Sequence, residues 1–226
     1  MRRALATALA VAVAAGCSPA DAPRALPADR SAPLSYVALG DSTVEGVGAS
    51  AADKTYVAQL YARLRREYPN ARVDNLGVAG ATSADVVATQ LDRAIALRPD
   101  LVTLSIGPND ITGEVPVTEY ERHVDAILRR LAGETRALVV VSLLPDLAVT
   151  PRFSGRPAAA VVGRLSVDFN EALAKTARRH GARVVDLYAA SRREVPQRPE
   201  LVAGDGYHPS DLGYARWAEL MWAEVR

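Results

Sequence analysis

Short apolar runs alternate with amphipathic stretches along most of the chain, and that alternation predicts a repeating βα architecture. Tyr36–Leu39, Ala71–Asn75, Leu101–Ser105, Ala137–Leu144 and Arg183–Asp186 are brief segments rich in apolar or β-branched residues, and each is a candidate buried strand. Between them, Val57, Leu60, Tyr61 and Leu64 fall on one face of a helix, as do Val87, Leu91, Ala94 and Ile95. A third stripe is Val124, Ile127, Leu128 and Leu131, and the spacing of Thr118 and Glu121 predicts a capping box at the start of that helix. A fourth helix is predicted from about Ala158 to His180, stopped by Gly181. The last begins near Ser210 and turns Tyr214, Trp217, Met221 and Val225 inward. Five strands alternating with five helices imply a parallel sheet covered on both faces, whose sites form at the carboxyl ends of the strands.

The chemistry is therefore expected in the loops that leave the strands. Gly40-Asp41-Ser42 comes after the first strand, Asn75-Leu76-Gly77-Val78-Ala79-Gly80 after the second, and Gly107-Pro108-Asn109-Asp110 after the third. Asp205-Gly206-Tyr207-His208-Pro209 lies beyond the fifth. Each group is small, polar and Gly-bearing. Acyl transfer needs a nucleophile, a base in hydrogen-bond reach, a group that orients the base, and donors for the oxyanion. Ser42 on a Gly-led turn suits the first role and His208 the second. Asp205, three residues before His208, suits the third, because one turn brings such side chains to the same side. The backbone N–H groups of Ser42 and Gly80, with the side-chain amide of Asn109, supply three candidate donors for an oxyanion hole.

These four groups resemble the four sequence blocks of the SGNH (GDSL-type) hydrolases, whose initials are met by Ser42, Gly80, Asn109 and His208. The resemblance runs over essentially all of Leu34–Arg226 and is strongest to the compact bacterial lysophospholipase/esterase branch. It implies a flavodoxin-like three-layer α/β/α sandwich with a five-stranded parallel sheet in the order 2-1-3-4-5. It also implies hydrolysis of esters or thioesters through an acyl-serine, with no metal and no organic cofactor. The first block reads GDST instead of GDSL, with Thr43 at a position that varies within the family.

Two competing motifs fall away. Gly46-Val47-Gly48-Ala49-Ser50-Ala51 fits a loose dinucleotide fingerprint, but it starts seven residues after the first strand instead of at its end. The G-x-S-x-G elbow of α/β-hydrolases is broken by Val44. His123, beside the apolar stripe of the third helix, and His180, at a helix end, read as structural or solvated. Phe153, in the long Pro145–Pro157 connection, reads equally as a wall of an acyl pocket or as part of a plain surface loop.

The amino terminus has a different character. Met1–Gly16 pairs Arg2 and Arg3 with a run of Ala, Val and Leu, the pattern of an export leader, and the run is short for a bilayer span. Cys17 comes directly after it. The stretch resembles a bacterial lipoprotein signal, with Ala14 where Leu is usual, and that resemblance implies lipid attachment at Cys17 and an extracytoplasmic, membrane-anchored protein, the alternative being an ordinary secretory signal and a secreted or periplasmic protein. Ser18–Pro33, rich in Pro and Ala, is expected to be a semi-extended tether, leaving 34–226 as the domain.

Composition narrows the functions further. One Cys excludes an intrachain disulfide and any zinc site needing two thiolates, and three His leave little for a metal cluster. With the leader removed, 25 basic residues face 26 acidic ones, which argues against nucleic acid as a partner. Aromatic residues at 5% are too few for a base-stacking platform or a broad sugar-binding strip. The expected partner is therefore a small or lipid-like ester met by a monomer. Two alternatives stand beside it: a carbohydrate O-acetyl esterase or acetyltransferase of the same fold, and a non-catalytic surface lipoprotein.

Overall fold

The computed structural model describes residues 24–226. Met1–Gly16 and Cys17, with the patterns of a leader and a lipid-attachment site, lie outside the described residues. β1 (Leu34–Gly40) leads into the single-turn helix α1 (Ser42–Glu45) and then α2 (Tyr56–Glu67). After β2 (Ala71–Asn75) comes a segmented helix: α3 (Ser83–Asp85), a π-helical turn over Val86–Gln90, and α4 (Leu91–Ala96). β3 (Leu101–Ser105) leads into α5 (Pro108–Thr112) and α6 (Val117–Glu134). β4 (Leu138–Ser142) leads into α7 (Ala159–Arg179), and β5 (Arg183–Val185) into α8 (Leu187–Glu194) and α9 (Asp211–Val225).

The five strands form one parallel sheet in the order β2-β1-β3-β4-β5. Strand side chains alternate between faces, so one β1 supplies two cores. Val37 and Leu39 pack with Val102, Leu104, Val139 and Val141 beneath α4, α6 and α7. Tyr36 and Ala38 pack with Leu101, Leu138 and Val140 beneath α2 and α9. Tyr214, Trp217, Met221 and Val225 of α9 are all buried, as their spacing predicts. The chain runs from β1 outward to β2 and then returns past β1 to β3. This creates a switch point between the carboxyl ends of β1 and β3, where ligands bind in open α/β sheets.

Three expectations change. β4 is shorter than Ala137–Leu144 because the side-chain amide of Asn170 takes the place of a neighbouring strand. Asn170 accepts from Leu144 N at 2.7 Å and donates to Leu144 O at 2.9 Å, and the chain leaves the sheet there. The capping box does not form at Thr118. Pro116 is the N-cap, so Thr118 already lies inside the first turn, and Glu121 pairs with Lys175 at 2.8 Å instead. A reciprocal box occurs at Thr82 and Asp85, at the start of α3.

Finally, residues 24–33, expected to be tether, are packed on the domain. Arg24 caps the end of α6 by donating to the carbonyls of Leu131, Ala132, Thr135 and Ala137. Pro27 O accepts from Tyr68 OH at 2.9 Å, and Leu26 packs against the second core. A guanidinium on the carbonyls at a helix C-terminus is favourable for both hydrogen bonding and the helix dipole, which is why this stretch docks despite its Pro content.

Candidate active site

Ser42 is the first residue of α1, directly after β1, and is nearly buried. Gly40 makes that sharp exit possible. Its φ is +145°, and a Cβ there would meet Ser105 O at 1.9 Å. The π-helical turn brings the buried Gln90 side chain onto the same glycine, accepting from Gly40 N at 2.9 Å and donating to Gly40 O at 2.8 Å. A π-turn shifts side-chain direction within a helix, and here it aims an amide at the backbone two residues before Ser42.

His208 and Asp205 come from a loop closed on itself. Val202 bridges Pro209, and Ala203 N donates to His208 O at 2.8 Å. Asp205 Oδ1 accepts the backbone N–H groups of Tyr207 and His208 at 2.9 and 3.0 Å. Asp205 Oδ2 lies 2.5 Å from His208 Nδ1, and His208 Nε2 lies 2.9 Å from Ser42 Oγ, across 166 residues of sequence. Burial raises the pKa of Asp205, but the hydrogen bonds from His208 and the two backbone donors outweigh it and hold the carboxyl below its ordinary value. Ionised Asp205 fixes the proton on Nδ1, leaving Nε2 free to accept from Ser42. This chain can deprotonate the Ser42 hydroxyl.

The candidate oxyanion donors line one polar cleft of about 540 Å³ with Ser42, Thr112, Arg152 and His208. Gly80 has φ +82°, and a Cβ there would stand in open space. Asn109 Nδ2 donates one proton to Ala81 O at 2.9 Å and keeps a second. Ser42 and His208 also line a second, apolar pocket of about 830 Å³ including its mouth, walled by Leu147, Leu187, Ala190 and Trp217. Phe153 is not in that wall. It stands edge-on to Tyr207, 6.0 Å between centroids, and Tyr207 in turn stands edge-on to His208 at 5.1 Å.

Asp41 stands in the first strand-end group, but the sequence assigns it no role. Asp41 caps α1, accepting from Thr43 N and Thr43 Oγ1 at 2.9 Å each, while its buried Oδ2 has no partner among the described residues. Burial pushes its pKa up to about 6, against the opposing effect of the Thr43 hydrogen bonds. Its folded pKa exceeds the unfolded value of about 3.9, so the acid form contributes stability that is present below about pH 4 and is lost as pH rises through about 6. Asp41→Asn, which keeps the cap, is therefore expected to raise stability at pH 8 by ~1–3 kcal/mol and to give no gain at pH 3.5. Thermal melts of both proteins across that range check this.

His123 and His180 both have partners. His180 caps α7 and bonds Asp125 at 2.9 Å. His123 Nδ1 lies 2.9 Å from Ser83 Oγ.

The fold is a three-layer α/β/α sandwich, and Asp205, His208 and Ser42 are joined by hydrogen bonds at the carboxyl edge of its sheet. Residues 38–216 match the GDSL-like Lipase/Acylhydrolase family, and the chain belongs to it. It is an ester-hydrolysing enzyme. A GDSL-like esterase of Mycobacterium tuberculosis is 31% identical over 194 residues, covering 83% of this chain and 60% of that relative, which is the longer protein. An acetylxylan esterase of Geobacillus stearothermophilus is 30% identical over 196 residues, 82% of this chain and 88% of the relative. Among solved structures, an α/β hydrolase enzyme from the metagenome of Lake Arreo, Spain, superimposes with a TM-score of 0.70 at 25% identity, covering 86% of this chain and 96% of the other.

Among the described residues, no group of three or more His, Cys, Asp or Glu is placed to hold a metal ion. No described helix is long and apolar enough to cross a membrane.

Proposed function

We propose that the protein is a serine esterase that attacks carboxylic esters with Ser42, using His208 as base, Asp205 as its orienting partner, and the N–H groups of Ser42, Gly80 and Asn109 as oxyanion donors. Ser42 Oγ adds to the ester carbonyl while its proton passes to His208 Nε2. The tetrahedral oxyanion collapses to an acyl-serine as His208 returns the proton to the leaving alcohol. Water then repeats the sequence and releases the acid. The observation carrying this reading is the hydrogen-bonded chain of 2.5 and 2.9 Å from Asp205 through His208 to Ser42.

The two spaces beside Ser42 support a finer assignment. The acyl chain enters the apolar pocket, and the alcohol leaves through the polar cleft. Each buried methylene contributes about 0.8 kcal/mol, so kcat/KM for p-nitrophenyl esters is expected to rise about fourfold per methylene until the pocket fills, then fall. A profile from acetyl to dodecanoyl decides this. A maximum at acetyl would favour the second reading, an acetyl esterase acting on glycans, which the likeness to the acetylxylan esterase supports.

The amino-terminal pattern belongs to the same proposal, with Cys17 as the acylated residue of an extracytoplasmic form. Radiolabelled palmitate fed to expressing cells is expected to label the wild type and not Cys17→Ser. Equal labelling of both removes the anchor.

A further inference from the structure

Gly80 and Asn109 both stand on weak elements. Gly80 belongs to an irregular connection, and Asn109 to α5, a helix of five residues that opens at Gly107 with no side-chain cap. So short a helix has little rigidity of its own, and an oxyanion hole requires donors held to a fraction of an ångström. Asn109 Nδ2–H···O=C Ala81 ties the two elements once, at 2.9 Å. A second tie lies directly behind it. Asp110, fully buried, accepts Ser83 N with its two oxygens at 3.1 and 3.0 Å and Ser83 Oγ–H at 2.5 Å. Ser83 is also fully buried, three residues after Gly80.

The Ser83 hydroxyl has one proton and gives it to Asp110, so His123 Nδ1, at 2.9 Å, must be a donor to Ser83 Oγ. A directed chain results, His123 Nδ1–H to Ser83 Oγ–H to Asp110. It joins α6, α3 and α5, with Gly80 and Asn109 carried on the chain segments it clamps. Hydrogen bonds within such a chain reinforce one another in a buried setting.

We propose that Ser83, Asp110 and His123 are positioning residues that set the spacing between the Gly80 N–H and the Asn109 amide. This rests on the reading of those two groups as oxyanion donors. None of the three side chains lines either space beside Ser42, so each acts through the donors and not on substrate.

The test uses the full chain, with active sites counted by fluorophosphonate titration so that unfolded protein does not enter kcat. Ser83→Ala is expected to lower kcat about tenfold, to leave KM within about twofold, and to weaken inhibition by an alkyl trifluoromethyl ketone about tenfold, because that inhibitor binds as an oxyanion. His123→Gln, which loses the Nδ1 donor and leaves Ser83 on Asp110, is expected to show the same pattern at about threefold. It also keeps the test open should Ser83→Ala fold poorly. Asp110→Asn, which retains an acceptor oxygen, is expected to keep more activity than Asp110→Ala. Asn109→Ala serves as the reference for the donors themselves. If Asn109→Ala lowers kcat and inhibitor affinity while Ser83→Ala and His123→Gln match wild type per active site, the positioning role is overturned and the donors stand. If Asn109→Ala changes neither quantity, the donor reading fails and the proposal fails with it.

Discussion

Ser42→Ala is expected to reduce kcat for a p-nitrophenyl ester by at least about 10⁴-fold and to abolish labelling by a fluorophosphonate. The hydroxyl lies 2.9 Å from His208 Nε2. The Ser42 side chain makes no hydrogen bond among the described residues other than that to His208. Ser42 starts a four-residue helix whose cap comes from Asp41, and Ala is an accommodating residue in a helix. The loss is therefore expected without a fall in melting temperature. His208→Ala is expected to cost a similar factor, and the double variant Ser42→Ala/His208→Ala is expected to be no worse than either alone, since the two act as one unit. Steady-state rates of the three variants measure this. Additive losses, or a Ser42→Ala protein that still turns over at the wild-type rate, would remove Ser42 from its role.

The second large effect concerns the charge that forms on the substrate. Asn109→Ala is expected to lower kcat about 10²- to 10³-fold with KM nearly unchanged, because the amide meets its acceptor only when the carbonyl oxygen becomes an oxyanion. The side chain also donates to Ala81 O at 2.9 Å, so a stability loss of about 1 kcal/mol should accompany the kinetic one. Asn109→Asp separates the two effects. It has the same shape but presents a negative charge to the oxyanion, and it is expected to be slower than Asn109→Ala. Comparable KM increases in both variants, with kcat preserved, would place Asn109 in ground-state binding instead.

Much of the architecture was legible along the chain because its signals are local. β2 and β3 occur over the residues their composition predicts, and α9 buries the four side chains its spacing selects. Gly181, with φ +70°, ends the long α7 as a residue free to adopt left-handed backbone should. The order of the polar groups after the strands was legible for the same reason. A parallel sheet brings the ends of its strands to one edge, so residues just after successive strands become neighbours however far apart they lie in sequence.

Other features depended on partners that no local pattern names. Thr118-x-x-Glu121 and Thr82-x-x-Asp85 have the same kind of spacing, and only the second is a cap. Pro116 starts α6 before Thr118 can serve. His123 lies next to an apolar stripe and reads as structural, and its partner Ser83 is 40 residues away. Gln90 reaches Gly40 through the π-turn, and the two are 50 residues apart in sequence. Arg24 sits in a Pro-rich stretch that looks unfolded, yet the carbonyls that hold it belong to the far end of α6.

The division comes from range. Periodicity, turn chemistry and strand-end placement act over a few residues, and they determined a parallel α/β domain with Ser42, Gly80, Asn109 and the Asp205–His208 pair at one edge. Distances across the sheet, the two spaces beside Ser42, and the buried carboxylates of Asp41 and Asp110 were decided only by packing. Their energies depend on desolvation and on hydrogen bonds closed between segments that become neighbours when the chain has folded.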